Sequence, residues 1–281
     1  MNEIIYRQKW LQTEEGKICY FLNNEFKGRP TVVLLHGLAS NHTTWDEAAL
    51  FLKKMRLNCL APDQRGHGHS DQSKKRSLYQ LPVFTRDLEK ILEQENLRDI
   101  ILAGYSYGGY IALDYTIKNP RTVSGLILVS ANHVNPFKYW HIDWLTPLGK
   151  GALDLLAWLL LWQKRKKYYY YNHATARGYW HSTFTGYTTM PIAINLWMLA
   201  DVALLDLSQK IAAITCPTLM IKAKKDPFLS DKEARDMAAK IKNAQVVTME
   251  EDTHFLASRF QEKILKVIGG WLKKIYEDSH L

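Results

Sequence analysis

Ile100-Ile101-Leu102-Ala103-Gly104-Tyr105-Ser106-Tyr107-Gly108 is the stretch on which the reading of this chain turns. Its first part is an unbroken apolar run of strand length, and the residues from Tyr107 to Lys118 have helical character, stopped by Asn119-Pro120. Ser106 stands at the bend, within Gly104-Tyr105-Ser106-Tyr107-Gly108. A strand that turns sharply into a helix crowds the residues on either side of the bend, which is why glycine flanks it. The turn lifts the serine hydroxyl out of the sheet and leaves the following N–H, that of Tyr107, available to an anion. The five residues alone recur by chance; their place between a strand and a helix makes them informative.

The same alternation extends in both directions. Upstream, Thr31–Leu35 reads as a buried strand followed by the turn His36-Gly37-Leu38, and Leu57–Ala61 as a second strand ending in Asp63-Gln64-Arg65-Gly66-His67-Gly68. Phe84–Gln94 has helical spacing. Downstream, Val123–Ser130, Pro217–Ala223 and Ala244–Met249 are further apolar strands, with charged or amphipathic helices expected over Asp231–Lys242 and Phe260–Tyr276. The segments around Trp10 and Ile18–Phe21 suit an antiparallel hairpin. Short apolar strands alternating with helices predict an α/β chain: a mostly parallel, eight-stranded sheet with helices on both faces. In such sheets, reactive side chains gather beyond the carboxyl ends of the strands.

One block interrupts the pattern. Residues 132–206 show no strand–helix alternation but are dense in aromatics, among them Trp140, Trp144, Trp158 and Trp180. They read as a helical cap inserted between the two parts of an α/β core, 1–131 and 207–281.

The chain of 281 residues carries a net charge of +9, with 47% hydrophobic and 23% charged residues, the composition of a folded globular protein. The basic residues are scattered and form no recognised nucleic-acid module, so the charge speaks for attraction to anionic surfaces or substrates and not for nucleic-acid binding. The exception is the run Lys164-Arg165-Lys166-Lys167. The N-terminus has no long apolar core and does not read as a signal peptide. Cys19, Cys59 and Cys216 are odd in number and far apart, as expected of reduced thiols in a cytoplasmic protein. No dinucleotide fingerprint, phosphate loop or metal-ligand spacing is present, so no cofactor and no metal are expected.

These residues together resemble the α/β-hydrolase superfamily, in its capped branch of esterases, lactonases and carbon–carbon hydrolases. The resemblance covers nearly the whole chain outside the cap. It rests on His36-Gly37, on Asp63-Gln64-Arg65-Gly66-His67-Gly68-His69-Ser70, on the Ser106 bend, and on an aspartate and a histidine in the right order. It implies Ser106 as nucleophile, His254 in Glu251-Asp252-Thr253-His254-Phe255 as general base and acid, and Asp226 after the strand ending at Ala223 as the orienting carboxylate. Some relatives take that acid from the end of the sixth strand, where this chain reads Ser130-Ala131-Asn132-His133 and offers no carboxylate. The backbone N–H groups of Leu38 and Tyr107 would form the oxyanion hole. His36 is expected to brace its loop or to border the substrate. A serine and not an aspartate at the bend implies an acyl-enzyme rather than dehalogenase or epoxide-hydrolase chemistry.

The expected activity is hydrolysis of small to medium apolar carboxylic esters, with Trp140, Trp144, Trp158 and Trp180 as candidate pocket walls. Lactones (including acyl-homoserine lactones), carbon–carbon bonds, or slow turnover in a ligand receptor are the alternatives. Asp63 and Arg65 are expected to knit their loop by charge-assisted hydrogen bonds. Ala152–Trp162, apolar almost all round and interrupted only by Asp154, is too short to span a bilayer; lying on a membrane surface together with Lys164–Lys167 and Tyr168–Tyr171, over residues 152–171, is one reading, and a buried cap helix or a homodimer contact is the more ordinary one.

Overall fold

The computed structural model describes residues 6–135, 145–163, 170, 189–250 and 261–277. Eight strands form one sheet: β1 (Arg7–Thr13), β2 (Gly16–Asn23), β3 (Thr31–Leu35), β4 (Asn58–Pro62), β5 (Ile100–Tyr105), β6 (Val123–Val129), β7 (Thr218–Ala223) and β8 (Ala244–Met249). Their order is β1-β2-β4-β3-β5-β6-β7-β8. The hairpin β1–β2 is antiparallel, and β2 also pairs antiparallel with β4. From β4 to β8 every pairing is parallel. β3, β4, β5 and β7 are buried along their whole length. That explains why they read as apolar runs without alternation: both faces of each strand are covered.

Seven α-helices are described: α1 (Asp46–Lys54), α2 (Leu81–Gln94), α3 (Tyr107–Lys118), α4 (Thr146–Leu159), α5 (Ile192–Val202), α6 (Asp231–Lys240) and α7 (Gln261–Glu277). One face of the sheet packs through Leu52, Ile268 and Trp271 of α1 and α7. The other face packs through Leu88, Ile111 and Met237 of α2, α3 and α6. Three turns of 3₁₀ helix, His42–Trp45, Arg76–Tyr79 and Ile211–Ala213, join these elements. α2 begins at Leu81 and not at Phe84, because Pro82 lies in the first helical turn, where a missing N–H costs nothing. α6 ends at Lys240 and not at Lys242, since Ile241 returns to an extended backbone.

α4 and α5 belong to the insertion between β6 and β7 and pack on each other. The chain leaves and re-enters the core side by side: Val134 and Asp206 form an antiparallel bridge, Asn135 N–H donates to Leu205 O at 2.8 Å, and Leu207 N–H donates to His133 O at 2.8 Å. No described helix is long and apolar enough to cross a membrane.

Candidate active site

The chain order reverses at β3, which is flanked by β4 on one side and β5 on the other. Loops that follow the two strands at such a reversal diverge and leave a crevice. Here they are the loop carrying Leu38, after β3, and the turn carrying Ser106, after β5.

Ser106 has φ 50° and ψ −114°, a left-handed backbone that a serine adopts only under constraint. Its N–H donates to Val129 O at 3.0 Å, and its carbonyl accepts from Gly109 N–H at 2.9 Å. The flanking glycines are dictated by contact. A β-carbon on Gly104 would lie 2.6 Å from Gly108 O, and one on Gly108 would lie 2.2 Å from Leu35 O. Tyr107 opens α3, so its N–H belongs to the first helical turn and has no intrahelical acceptor. Its ring is buried against Phe84, edge to face with centroids 5.4 Å apart.

Two histidines clamp the Leu38 loop. His36 Nδ1–H donates to Gly37 O at 2.8 Å, and Gln64 N–H donates to His36 Nε2 at 3.0 Å. Gln64 Nε2 also donates to His36 O at 2.7 Å. His67 Nδ1–H donates to Arg65 O at 3.0 Å and its Nε2 accepts from Ala39 N–H at 3.3 Å. The two rings meet edge to face, 5.0 Å apart. These partners specify the neutral Nδ1–H form of both imidazoles. With both nitrogens engaged, His36 braces the loop and offers nothing to a ligand. Neither Leu38 N–H nor Tyr107 N–H meets an acceptor among the described residues.

The loop after β4 is knit by charge, as expected, but with other partners. Fully buried Asp63 receives His42 N–H at 2.9 Å and His42 Nδ1–H at 2.8 Å on one oxygen. Its other oxygen receives His69 N–H at 2.7 Å and His69 Nδ1–H at 3.1 Å. Burial alone would raise this carboxyl; the His42 and His69 hydrogen bonds override it and hold the group well below the usual carboxylate range. Arg65 turns instead to Asp87 on α2, gripping both carboxylate oxygens at 2.8 Å. Cys19, Asp63 and His69 bring ligand-type atoms within 4.8 Å of one another, a grouping that sequence spacing did not suggest. The four donors on Asp63 already account for its geometry. All three cysteines are buried free thiols.

Asp226 follows β7, one strand beyond β6 from the Ser106 turn, and is buried. Its Oδ1 accepts from Phe228 N–H at 2.9 Å. The turn is pinned from two sides. Lys224 N–H donates to Met249 O at 2.9 Å, and buried Lys222 donates to Ala223 O and to Asp231 Oδ1, each at 2.7 Å. Asn132, where a carboxylate stands in some relatives, instead donates to Phe228 O at 2.9 Å and to Glu233 Oε1 at 3.0 Å. His254, Trp140, Trp144 and Trp180 lie outside the described residues. Trp158 is described and is 65% exposed on α4, so it walls no enclosed pocket here.

Burial pushes the His36 imidazole down to about 4, against the opposing hydrogen bond to Gly37 O, and burial does the same to His133. An unfolded histidine titrates near about 6.5. Between these values the unfolded chain takes up protons that the folded chain refuses, so stability falls as pH falls through this window. His36 alone should remove about 2 kcal/mol between pH 7.5 and pH 5. The Asp63 contribution is present above about pH 4 and is lost only below it. Urea unfolding at the two pH values checks this; equal free energies would show that the buried histidines are not held neutral.

Asn195 on α5 is a residue that sequence reasoning missed. It is 1% exposed, and neither its Oδ1 nor its Nδ2 finds a hydrogen-bond partner. An orphaned buried amide costs about 1–3 kcal/mol. Asn195→Leu keeps the branched heavy-atom outline, with two bulkier methyl groups, and removes the polar group, so its melting temperature should rise by about 2 °C or more. A lower melting temperature would mean that the amide is satisfied in solution.

Residues 30–258 match the model of the alpha/beta hydrolase fold family, and the chain belongs to that family. An uncharacterized protein of Mycobacterium tuberculosis is 34% identical over 132 residues, 45% of this chain and 37% of that protein. This chain therefore spans little more than a third of that relative. The 3-oxoadipate enol-lactonase 1 of Acinetobacter baylyi is 24% identical over 266 residues, 94% of this chain and 97% of the enzyme. A thermophilic esterase from Thermogutta terrifontis superposes with a TM-score of 0.74 at 20% identity, covering 96% of this chain and 99% of the esterase. At that identity the superposition establishes the fold.

Proposed function

We propose that the chain is a serine hydrolase of carboxylic esters. Ser106 Oγ attacks the ester carbonyl while His254 takes its proton, and Asp226 holds the imidazolium. The Leu38 and Tyr107 N–H groups receive the oxyanion. His254 then gives its proton to the departing alcohol, and a water activated by the same imidazole releases the acid from Ser106. Residues 132–206 serve as the cap over this centre.

The observation that carries the reading is the conjunction at the β3–β5 crevice. A serine held at φ 50° is followed by a helix N-terminus, and a β-carbon placed on Gly37, beside Leu38, would stand 3.4 Å from Ser106 Cβ. That proximity supports Ser106 as the nucleophile beside the Leu38 and Tyr107 N–H groups. The full-length similarity to an enol-lactonase supports a cyclic ester as a second substrate class, reached by the same steps.

A fluorophosphonate probe should label Ser106, located by peptide mapping. A parallel screen of esters, lactones and dienoates should then rank carboxylic esters first. Labelling elsewhere would overturn the nucleophile, and turnover confined to dienoates would overturn the substrate class.

A further inference from the structure

We infer that α4 docks the protein onto anionic lipid bilayers. Nine large apolar residues are recorded as exposed among the described residues, and six of them, Leu148, Leu155, Leu156, Trp158, Leu159 and Trp162, fall on α4 and the turn that follows it. At about 100° per residue, Leu148, Leu155 and Leu159 lie within about 40° of one another, with Leu156 and Trp158 on either flank. Ala157, on the opposite side, is 0% exposed and packs into the core. The helix thus turns Ala157 inward and Leu148, Leu155, Leu156, Trp158 and Leu159 to solvent, the reverse of a surface helix in water. Such a contiguous apolar face marks an interaction site.

The charge beside that face selects the occupant. Arg76 Nε meets Asp154 Oδ1 at 2.6 Å, and Lys150 Nζ meets Asp154 Oδ2 at 2.7 Å, so two cations share one carboxylate on the helix flank. Lys74 and Lys75 are exposed immediately before Arg76. In sequence, Lys164-Arg165-Lys166-Lys167 begins two positions after Trp162, and the whole chain carries +9. An apolar face bearing tryptophan and rimmed by cations matches the acyl boundary and headgroups of an anionic leaflet. A second copy of this chain would bring the same cations against one another. The inference does not depend on the chemistry at Ser106.

The test is co-sedimentation of the full chain with vesicles of phosphatidylcholine mixed with phosphatidylglycerol, and with pure phosphatidylcholine. The protein should sediment with the mixed vesicles, bind the neutral ones far less, and release as salt rises. Leu155→Ser/Trp158→Ser/Leu159→Ser should weaken binding at least about tenfold. Lys74→Glu/Lys75→Glu should weaken binding to the mixed vesicles only. All five positions are outward-facing, so both variants should keep the wild-type circular dichroism spectrum. Failure of the wild type to sediment, or equal binding by the triple variant, overturns the inference. So does a dimer in sedimentation velocity that the triple variant dissolves, because a second copy would then be what covers the face.

Discussion

Ser106→Ala should lower kcat on the best ester by about four to six orders of magnitude while leaving the melting temperature almost unchanged. The two halves of this expectation have separate causes. Ser106 is the N-cap of α3 but makes no side-chain capping bond, so its loss does not uncap the helix. Alanine meets the same backbone constraint at φ 50° as serine does, and the bonds from Ser106 N–H to Val129 O and from Gly109 N–H to Ser106 O are untouched. What disappears is the atom proposed to become acylated. The donors at Leu38 and Tyr107 remain, so a residual rate above the uncatalysed one should persist. His254→Ala should cost a similar amount, and the double variant little more, because the two residues act in one step. Steady-state kinetics with an aryl ester reads the effect. Turnover within tenfold of wild type in Ser106→Ala would end the serine mechanism.

Gly108→Ala should be severely damaging for the addition of a single methyl group. The added β-carbon would stand 2.2 Å from Leu35 O and 2.6 Å from His36 O, and both obstacles are backbone. No rotamer change relieves such contacts; α3 must back away from β3, or the loop after β3 must move. Overpacking of this kind costs about 3 kcal/mol. The displaced loop is the one that carries Leu38, and losing one oxyanion donor costs about a hundredfold to a thousandfold in kcat. Gly108→Ala should therefore combine a lower denaturation midpoint with a kcat loss in the fraction that folds. Fluorophosphonate labelling of Ser106, slowed but present, would separate it from Ser106→Ala. Wild-type activity and stability would show that the close approach of α3 to β3 is not required.

The fold was legible because parallel strands covered on both faces leave runs that nothing else produces. Thr31–Leu35 and Ile100–Tyr105 coincide with β3 and β5, buried throughout, whereas Ala244–Met249 coincides with β8 at the sheet edge, which is only partly buried. The bend at Ser106 was legible for a local reason, the two glycines that its sterics demand. The partners of Asp63 were not legible. His42 lies 21 positions away and approaches through the turn His42–Trp45, so no spacing marks it. Arg65 finds Asp87 across a helix for the same reason. Asp63 and Arg65 each reach outward and tie the loop to a different element. Ala152–Trp162 is apolar nearly all round, interrupted only by Asp154. Sequence periodicity cannot say which side of such a helix faces water, and the side that does is the one bearing Leu155, Trp158 and Leu159.

The antiparallel bridge at Val134 and Asp206 uncouples the sheet from the content of the insertion. Entry and exit of the inserted segment are neighbours, so the sheet closes whatever lies between them. Segments of different length and composition can be transplanted at this neck without re-registering a strand.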